Sequence, residues 1–229
     1  MIWAIVPAAG TGVRSGLDIP KQYQLLLGKP MLHHVLDVLS SHPDIDGVCL
    51  ALSVEDTRWV GIHKWHSKTL RTCVGGVERS ESVLLAITSL QDVLGKEDFV
   101  LVHDAARPCL RFEDLNNLIE QASQHPVGAL LAGKIKDTVK RSDQESQVEG
   151  TLDRSLLWRA FTPQMFSAIS LQRALQHAKQ EGVQITDESS AIERLGLSPL
   201  LVEGSDDNIK VTLASDFALA EAILSARNS

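Results

Sequence analysis

The chain has 229 residues, of which 44% are hydrophobic and 22% charged, and its formal net charge is −7. That length is enough for one sizeable domain, and the composition is that of a packed protein rather than a disordered one. The acidic balance argues against a broad nucleic-acid-binding surface, so we expect no nucleic-acid partner. No apolar stretch approaches the roughly 20 residues of a membrane span, so we expect no membrane association.

The start of the sequence and its cysteines favour the cytoplasm. Met1 leads directly into an apolar run, without the basic leader and cleavage site of a signal peptide. The three cysteines, Cys49, Cys73 and Cys109, have neither the number of a disulfide framework nor the spacing of zinc ligands. Cys49 and Cys73 lie in apolar runs, which predicts buried thiols. We therefore expect a cytoplasmic protein.

Strand-like and helix-like segments alternate along the chain. Short apolar runs predict strands at 2–6, 47–52, a segment ending at the double glycine 75–76, 99–102, 127–133 and 197–204. Helical spacing of apolar residues predicts helices at 31–39, 55–66, 83–90, 115–122, 171–180, 188–195 and 215–226. This alternation predicts an α/β fold in a single domain, 1–229, with a doubly wound, mostly parallel sheet flanked by helices on both faces. In such sheets ligands bind outside the carboxyl ends of the strands.

The segment 134–154 breaks this alternation. It switches between charged and uncharged residues with a period of two around a polar centre, which predicts a protruding β-hairpin arm. A projecting two-stranded arm is marginally stable alone, so a second copy of the chain is the expected partner. A solvated loop is the alternative interpretation.

A glycine-rich loop follows the first predicted strand, in the sequence "VPAAGTGVRSGLDIPKQY". It fits neither common phosphate fingerprint, because Gly16 comes one residue late for a dinucleotide-binding turn and Ser15 stands where a P-loop needs its second glycine. Open backbone N–H groups together with Arg14 and Lys21 nevertheless suit a triphosphate. The alternative is an ordinary strand–turn–helix junction with solvated cations.

Five motifs taken together carry a family resemblance: the glycine-rich loop, "VGGVERSESV", "VHDAARP", "TPQ" and "DNIKVT". In this order, over nearly the whole chain, they resemble the 2-C-methyl-D-erythritol 4-phosphate cytidylyltransferases of non-mevalonate isoprenoid synthesis. The resemblance implies a Rossmann-like nucleotidyltransferase fold. It also implies that a cytidylyl group passes from CTP to the polyol phosphate, giving 4-diphosphocytidyl-2-C-methyl-D-erythritol and pyrophosphate. Mg²⁺ is the implied cofactor, with another divalent cation as the alternative.

The implied chemistry suits the residues. A phosphomonoester is already largely a dianion at neutral pH, because its second pKa is near ~6, so no general base is needed. The obstacle is repulsion between two polyanions, which fixed positive charge relieves. The resemblance accordingly assigns catalytic roles to Arg14, Lys21, Arg154 and Lys210. A strand lysine is the alternative for Lys210, and pairing with Asp153 or Glu149 is the alternative for Arg154.

The resemblance assigns the remaining site residues to the two substrates. Nucleotide binding falls to Pro7, Ala8, Ala9, Gly10, Gly12, Gly75, Gly76, Ser80, Asp104 and Ala105. The polyol phosphate falls to Arg107, Thr138, Thr162 and Thr186, with the arm residues reaching in from the other subunit of a homodimer. Asp104 is also the expected Mg²⁺ ligand, since Mg²⁺ favours one or two carboxylates with phosphate oxygens. Helix capping is the alternative for Asp104 and for Ser80.

Three other functions compete with this interpretation. A D-ribitol-5-phosphate cytidylyltransferase shares the nucleotide machinery and differs in the polyol pocket, where one methyl contact is worth only ~1–3 kcal/mol. A nucleotide-sensing module without turnover has no need of Arg14, Lys21, Asp104 and Lys210 together. A dinucleotide-dependent oxidoreductase is disfavoured by the glycine spacing.

Overall fold

The computed structural model describes residues 1–10 and 19–227. Its strands are β1 (Ile2–Ala8), β2 (Leu25–Leu26), β3 (Lys29–Pro30), β4 (Gly47–Leu52), β5 (Lys64–Trp65), β6 (Lys68–Val74), β7 (Phe99–Val102), β8 (Gly128–Lys134), β9 (Val139–Ser142), β10 (Val148–Leu152), β11 (Trp158–Ser167) and β12 (Leu200–Glu203). Its helices are α1 (Met31–Ser41), α2 (Arg79–Ser89), α3 (Phe112–Gln124), α4 (Ala168–Gln180), α5 (Glu188–Glu193) and α6 (Ala214–Arg227). Within the described part of the chain, no helix is long and apolar enough to cross a bilayer.

A central sheet of eight strands has the order β12-β8-β11-β7-β1-β4-β6-β5. β7, β1, β4 and β6 pair in parallel, and β12 pairs in parallel with β8. Only β11 and β5 run antiparallel to their neighbours. The predicted doubly wound, mostly parallel sheet is therefore confirmed.

Both faces of the sheet are covered because the central strands are apolar on both sides. On β1, Ala4 and Val6 pack with α1 and α3, while Trp3 and Ile5 pack on the opposite face with α2 and α4. A smaller third cluster packs α6 against Leu26 of β2 and Met31 of α1. This frame leaves the carboxyl ends of β1, β6 and β7 at one edge of the sheet.

One predicted helix is wrong, and one strand of the sheet was not predicted. The predicted helix at 55–66 does not form: the Asp56 carboxylate accepts hydrogen bonds from the N–H groups of Arg58 (2.9 Å) and Trp59 (3.1 Å), and Gly61 has φ +69°. Both features stabilise turns at the expense of a helix. The long strand β11, which the sequence patterns did not predict, occupies the middle of the sheet.

The predicted arm is a two-stranded antiparallel hairpin of β9 and β10. Its residues are mostly exposed, and it pairs with no strand of the central sheet. At its base, Lys136 and Arg159 both form ion pairs with Asp206, in the segment that leads to Lys210. The hairpin is thus anchored at its base while its strands project from the domain.

Candidate active site

A cleft of about 250 Å³ opens at the carboxyl edge of the sheet, beside the ends of β1 and β7 and the start of α2. Many of the residues predicted for catalysis and nucleotide binding line it: Pro7, Ala8, Ala9, Gly10, Lys21, Gly76, Asp104, Ala105 and Lys210. It is also lined by residues that were not predicted, among them Gln22, Glu78, Arg79 and Ser82. The predicted residues Gly12 and Arg14 lie outside the described residues.

Lys21 and Lys210 reach the cleft from distant parts of the sequence. A short 3-10 helix, Lys21–Tyr23, follows Pro20, and the buried Gln22 donates a hydrogen bond from Nε2 to the Ala8 carbonyl (2.9 Å) at the end of β1. Lys21 Nζ donates to the carbonyl of Val211 (2.5 Å). This contact places Lys21 directly beside Val211, the residue that follows Lys210.

The double glycine allows a close approach between β6, the end of β1 and α2. A Cβ atom on Gly75 would lie 2.5 Å from the Cβ of Ala9 and 2.9 Å from Ser82 Oγ, so a larger residue would push these elements apart. Gly76 N–H donates to Ser82 Oγ (3.0 Å), and Ser82 Oγ in turn donates to the Glu78 carbonyl (3.1 Å). Gly75 therefore shapes the cleft without lining it.

Ser80 lies elsewhere than predicted. It lines a separate cavity with Glu81, Leu84 and Lys179, and the cap position of α2 is Glu78, which makes no side-chain capping bond. The alternative of a Ser80 cap is therefore wrong. The serine hydroxyl that does face the cleft is Ser82, two residues further on, and it closes the turn that Gly76 begins.

Asp104 stands at the end of β7 and faces three cations. Its carboxylate oxygens lie 2.7 Å from Arg79 Nε, 2.8 Å from Lys210 Nζ and 3.8 Å from Arg107 Nε. Burial alone would raise the pKa of Asp104, but the charges of Arg79 and Lys210 outweigh it and hold that pKa well below its usual range. The capping alternative for Asp104 is wrong, because the next helix, α3, has Arg111 at its cap position.

Arg79 is the main site residue that the sequence analysis missed. Besides its bond to Asp104, its Nη1 and Nη2 donate to the two carboxylate oxygens of Glu188, at 2.6 and 3.0 Å. Burial works to lower the pKa of Arg79, but these two carboxylates raise it, so the guanidinium stays charged. The available signal was an arginine three residues after the double glycine, at the start of the helix that follows it.

A second cavity of about 240 Å³ adjoins the first. Arg107, Thr162 and Thr186, predicted for the polyol phosphate, line it together with Arg79, Asp104 and Lys210, which line both cavities. Lys210 lies outside any strand, so the alternative of a strand lysine is wrong. The geometry offers two adjacent binding spaces with cations and one ionised carboxylate at their boundary.

Thr138 and Arg154, the remaining predicted site residues, lie at the base of the arm. Both are exposed and line neither cavity of their own chain. Arg154 Nη1 donates to the carbonyl of Lys136. Its two alternative partners are otherwise engaged, since Glu149 pairs with Arg141 (2.9 Å) and Asp153 accepts the N–H of Ser155 (2.9 Å).

The donor set at the boundary of the cavities fits a magnesium ion that is held mainly by its substrate. In residues 1–10 and 19–227 there is no group of three or more His, Cys, Asp or Glu side chains that could form a metal cage. Asp104 supplies one ionised carboxylate that faces both cavities. Mg²⁺ is commonly bound in this way, through one or two carboxylates plus phosphate oxygens.

The fold and the site together define a nucleotidyltransferase class of protein: a doubly wound sheet with paired, cation-lined cavities at its carboxyl edge. A sequence model of the 2-C-methyl-D-erythritol 4-phosphate cytidylyltransferase family matches residues 2–226, and the chain belongs to that family. It is therefore a cytidylyltransferase enzyme.

Individual relatives agree with this assignment. A protein of this name from Xanthomonas campestris pv. campestris (strain B100) is 48% identical over 227 residues, which are 99% of this chain and 86% of the relative. One from Stenotrophomonas maltophilia (strain K279a) is 46% identical over 226 residues, covering 99% of this chain and 97% of the relative. The crystal structure of the Francisella tularensis 2-C-methyl-D-erythritol 4-phosphate cytidylyltransferase has a TM-score of 0.81 and 32% identity, covering 97% of this chain and 99% of that one.

Proposed function

We propose that the two adjoining cavities hold the two substrates of one transfer, in which the cytidylyl group of CTP passes to 2-C-methyl-D-erythritol 4-phosphate. The products are 4-diphosphocytidyl-2-C-methyl-D-erythritol and pyrophosphate. One observation carries this proposal: Arg79, Asp104 and Lys210 line both cavities, so both substrates meet the same charged boundary. The names of the relatives favour this acceptor over ribitol 5-phosphate.

The reaction needs charge and geometry more than proton transfer. A phosphate oxygen of the acceptor attacks the α-phosphorus of CTP, a new P–O bond forms, and the bond to the β-phosphate oxygen breaks to release pyrophosphate. The acceptor is largely a dianion at neutral pH and needs no base. The cations at the boundary offset the repulsion between the two substrates, and fixed positions bring the reacting atoms into line.

The positions of the side chains suggest how they divide this work. Lys21, which lines the first cavity, is placed to contact the triphosphate. Lys210 and Arg107 are placed to hold the phosphate of the acceptor. The small residues Ala8, Ala9 and Gly76 leave room for the base, with Ser82 close to them. Gly12 and Arg14 keep their predicted role on the triphosphate.

Mg²⁺ is part of the proposal, with Asp104 as its protein ligand. When bound, the ion would neutralise charge on the triphosphate and on the departing pyrophosphate. In the described structure, Lys210 occupies one oxygen of Asp104 at 2.8 Å. Because that lysine side chain is half-exposed, it is able to turn from the carboxylate toward a phosphate without unfolding any element.

The proposed assembly is a homodimer formed through the arm. Thr138 and Arg154 lie outside both cavities of their own chain, on an exposed hairpin that has no core of its own. In the proposed dimer, both residues reach the second cavity of the neighbouring subunit and contact the polyol phosphate there. We also propose a cytoplasmic location, in keeping with three cysteines that are all free thiols.

The activity is tested by pyrophosphate release with CTP, Mg²⁺ and either methylerythritol phosphate or ribitol phosphate. We expect methylerythritol phosphate to be the better acceptor by kcat/KM, and CTP to be better than UTP or ATP. A preference for ribitol phosphate would refute the assigned acceptor. No release with either acceptor would refute the reaction.

The dimer is tested by removing the hairpin tip and strands, residues 139–152, and closing the gap with a short glycine linker. We expect a folded monomer by light scattering that still binds CTP but has lost turnover. The matched control is Arg141→Gln with Glu149→Gln, which removes an exposed ion pair within the hairpin and keeps its strands. A hairpin-deleted monomer with full turnover would contradict the shared site.

A further inference from the structure

A ring of buried hydrogen bonds lies directly behind the second cavity. Its side chains are His103, Thr162 and Asn208, of which His103 and Asn208 are fully buried and Thr162 nearly so. It joins three parts of the chain: the loop after β7, the strand β11 and the segment that carries Lys210. The reaction as proposed makes no direct use of His103 or Asn208.

The direction of each hydrogen bond on one side of the ring is fixed by the chemistry of its partners. His103 Nε2 lies 3.0 Å from the carbonyl oxygen of Arg107, which can only accept, so Nε2 carries the proton. The imidazole is fully buried and its two nitrogens face a carbonyl and a hydroxyl rather than a carboxylate, so it is neutral and Nδ1 is an acceptor. The hydroxyl of Thr162, 3.0 Å from Nδ1, therefore donates its proton to His103.

The rest of the ring follows from fixed donors and acceptors. Thr162 Oγ1 accepts the N–H of Asp104 at 3.0 Å. The main-chain carbonyl of Thr162 accepts from Asn208 Nδ2 at 2.8 Å. The main-chain carbonyl of Asn208 accepts a hydrogen bond from Arg107 Nη1 at 2.7 Å, and this bond closes the ring at the loop after β7.

These hydrogen bonds give Thr162 a different role from the predicted contact with the polyol phosphate. Its only hydroxyl proton points toward His103, away from the second cavity, so it is not available to a bound acceptor. Its oxygen instead holds the main chain of Asp104. Through the ring, the same bonds hold the Arg107 guanidinium and Asn208, which lies two residues before Lys210.

We propose that His103 and Asn208 are positioning residues of the transfer reaction, and that Thr162 acts with them by holding Asp104, Arg107 and the Lys210 segment in register. This inference rests on the proposed function for its kinetic consequence. A shift of about 1 Å in such groups is enough to lower a rate about 100-fold. The ring therefore acts on kcat, because it sets the geometry of groups that contact the substrates.

The test compares Thr162→Val, Thr162→Ser and His103→Phe, each checked for folding by its thermal unfolding curve. We expect Thr162→Val and His103→Phe each to lower kcat roughly 30-fold, while Thr162→Ser, which keeps the hydroxyl, stays within about 3-fold of the parent. The double variant Thr162→Val/His103→Phe should be no worse than about the poorer single variant, because both changes open the same ring.

Thr186→Val is the matched control, since Thr186 lines the same cavity but is not part of the ring. Its effect should multiply with that of His103→Phe, as expected for independent sites. The inference is overturned if Thr162→Val and His103→Phe also multiply, to about 1,000-fold, or if Thr162→Val raises only the KM for the acceptor. If His103→Phe does not fold, the contrast between valine and serine at Thr162 decides the question.

A readout without substrate separates this inference from the proposed reaction. Hydrogen exchange of the Asp104 amide should be at least about 10-fold faster in Thr162→Val and in His103→Phe, and unchanged in Thr162→Ser, since the Thr162 hydroxyl is its partner. Unchanged exchange in all variants would overturn the ring even in an active enzyme. Faster exchange in these two variants, together with a parent chain that shows no transfer, would overturn the proposed reaction and leave the ring intact.

Discussion

Replacing Glu188 by glutamine removes one negative charge from a buried cluster while keeping the size of the side chain. Glu188 is 0% exposed, and both of its carboxylate oxygens accept hydrogen bonds from the Arg79 guanidinium. Arg79 is itself bonded to Asp104 at 2.7 Å. The substitution therefore leaves the Arg79 side chain, which is 26% exposed, with one carboxylate partner in place of two.

The expected loss follows from burial. Removing one partner of a buried ion pair typically costs about 3–5 kcal/mol, because the other charge stays desolvated. Asp104 remains on Arg79, so we take the lower limit of about 3 kcal/mol. In a domain of this size, 1 kcal/mol changes the melting temperature by about 2–4 °C, which gives a decrease of about 6–12 °C.

Thermal unfolding followed by circular dichroism measures this decrease, with Glu81→Gln as the control. Glu81 also pairs with a cation, Lys179 at 2.8 Å, but its side chain is 32% exposed. Exposed pairs contribute about 0–1 kcal/mol, so the control should lose less than about 4 °C. Equal decreases in the two variants would refute the reasoning, because burial is the main difference between the two pairs.

Three further predictions follow from the site. Lys210→Gln should lower turnover about 100-fold in the pyrophosphate assay, and a melting temperature as low as that of Glu188→Gln would show a structural role instead. Gly75→Ala should destabilise the fold by about 1–3 kcal/mol in urea unfolding, while Gly10→Ala, where a Cβ has no described residue within 4 Å, should stay within about 0.5 kcal/mol. The pKa of His103 is about 4 in the folded chain and about 6.5 in the unfolded chain, so between these pH values only the unfolded chain takes up the proton. The contribution of His103 to the free energy of unfolding is therefore fully present above about pH 6.5 and should fall by about 3 kcal/mol as the pH decreases toward 4. Unfolding free energies between pH 7 and 4.5 should therefore decrease less in His103→Phe than in the parent, and equal decreases would contradict the assignment.

The wrong helix at 55–66 shows a limit of periodicity in a short segment. Apolar spacing there is compatible with a helix, but the Asp56 side chain bonds the following backbone and also accepts the Tyr23 hydroxyl at 2.7 Å. Trp59 and Trp65 then pack beside His33 on α1. The partners that stabilise this turn come from other elements, which local spacing does not reveal.

The missed strand β11 has a different cause. It lies between β7 and β8, so residues 161–166 are buried on both faces of the sheet and lack the polar–apolar alternation of a half-exposed strand. Pro163 interrupts it further, at a register shift between Ala160 and Gln164. A proline within an apolar run normally argues against a central strand, and here it is accommodated at an irregularity.

The sequence by itself determined the alternating α/β architecture, the exposed arm and the glycine-rich edge, because these depend on local periodicity and on residues that punctuate the chain. Motif order was also sufficient to indicate the family and most of the residues that line the two cavities. Only the tertiary structure decided which charges meet: Arg79 with Asp104 and Glu188, and Lys21 beside the Lys210 segment. Such pairings join residues about 25 to 190 positions apart, and no local pattern encodes them, since burial and electrostatic compensation arise only once distant elements have packed.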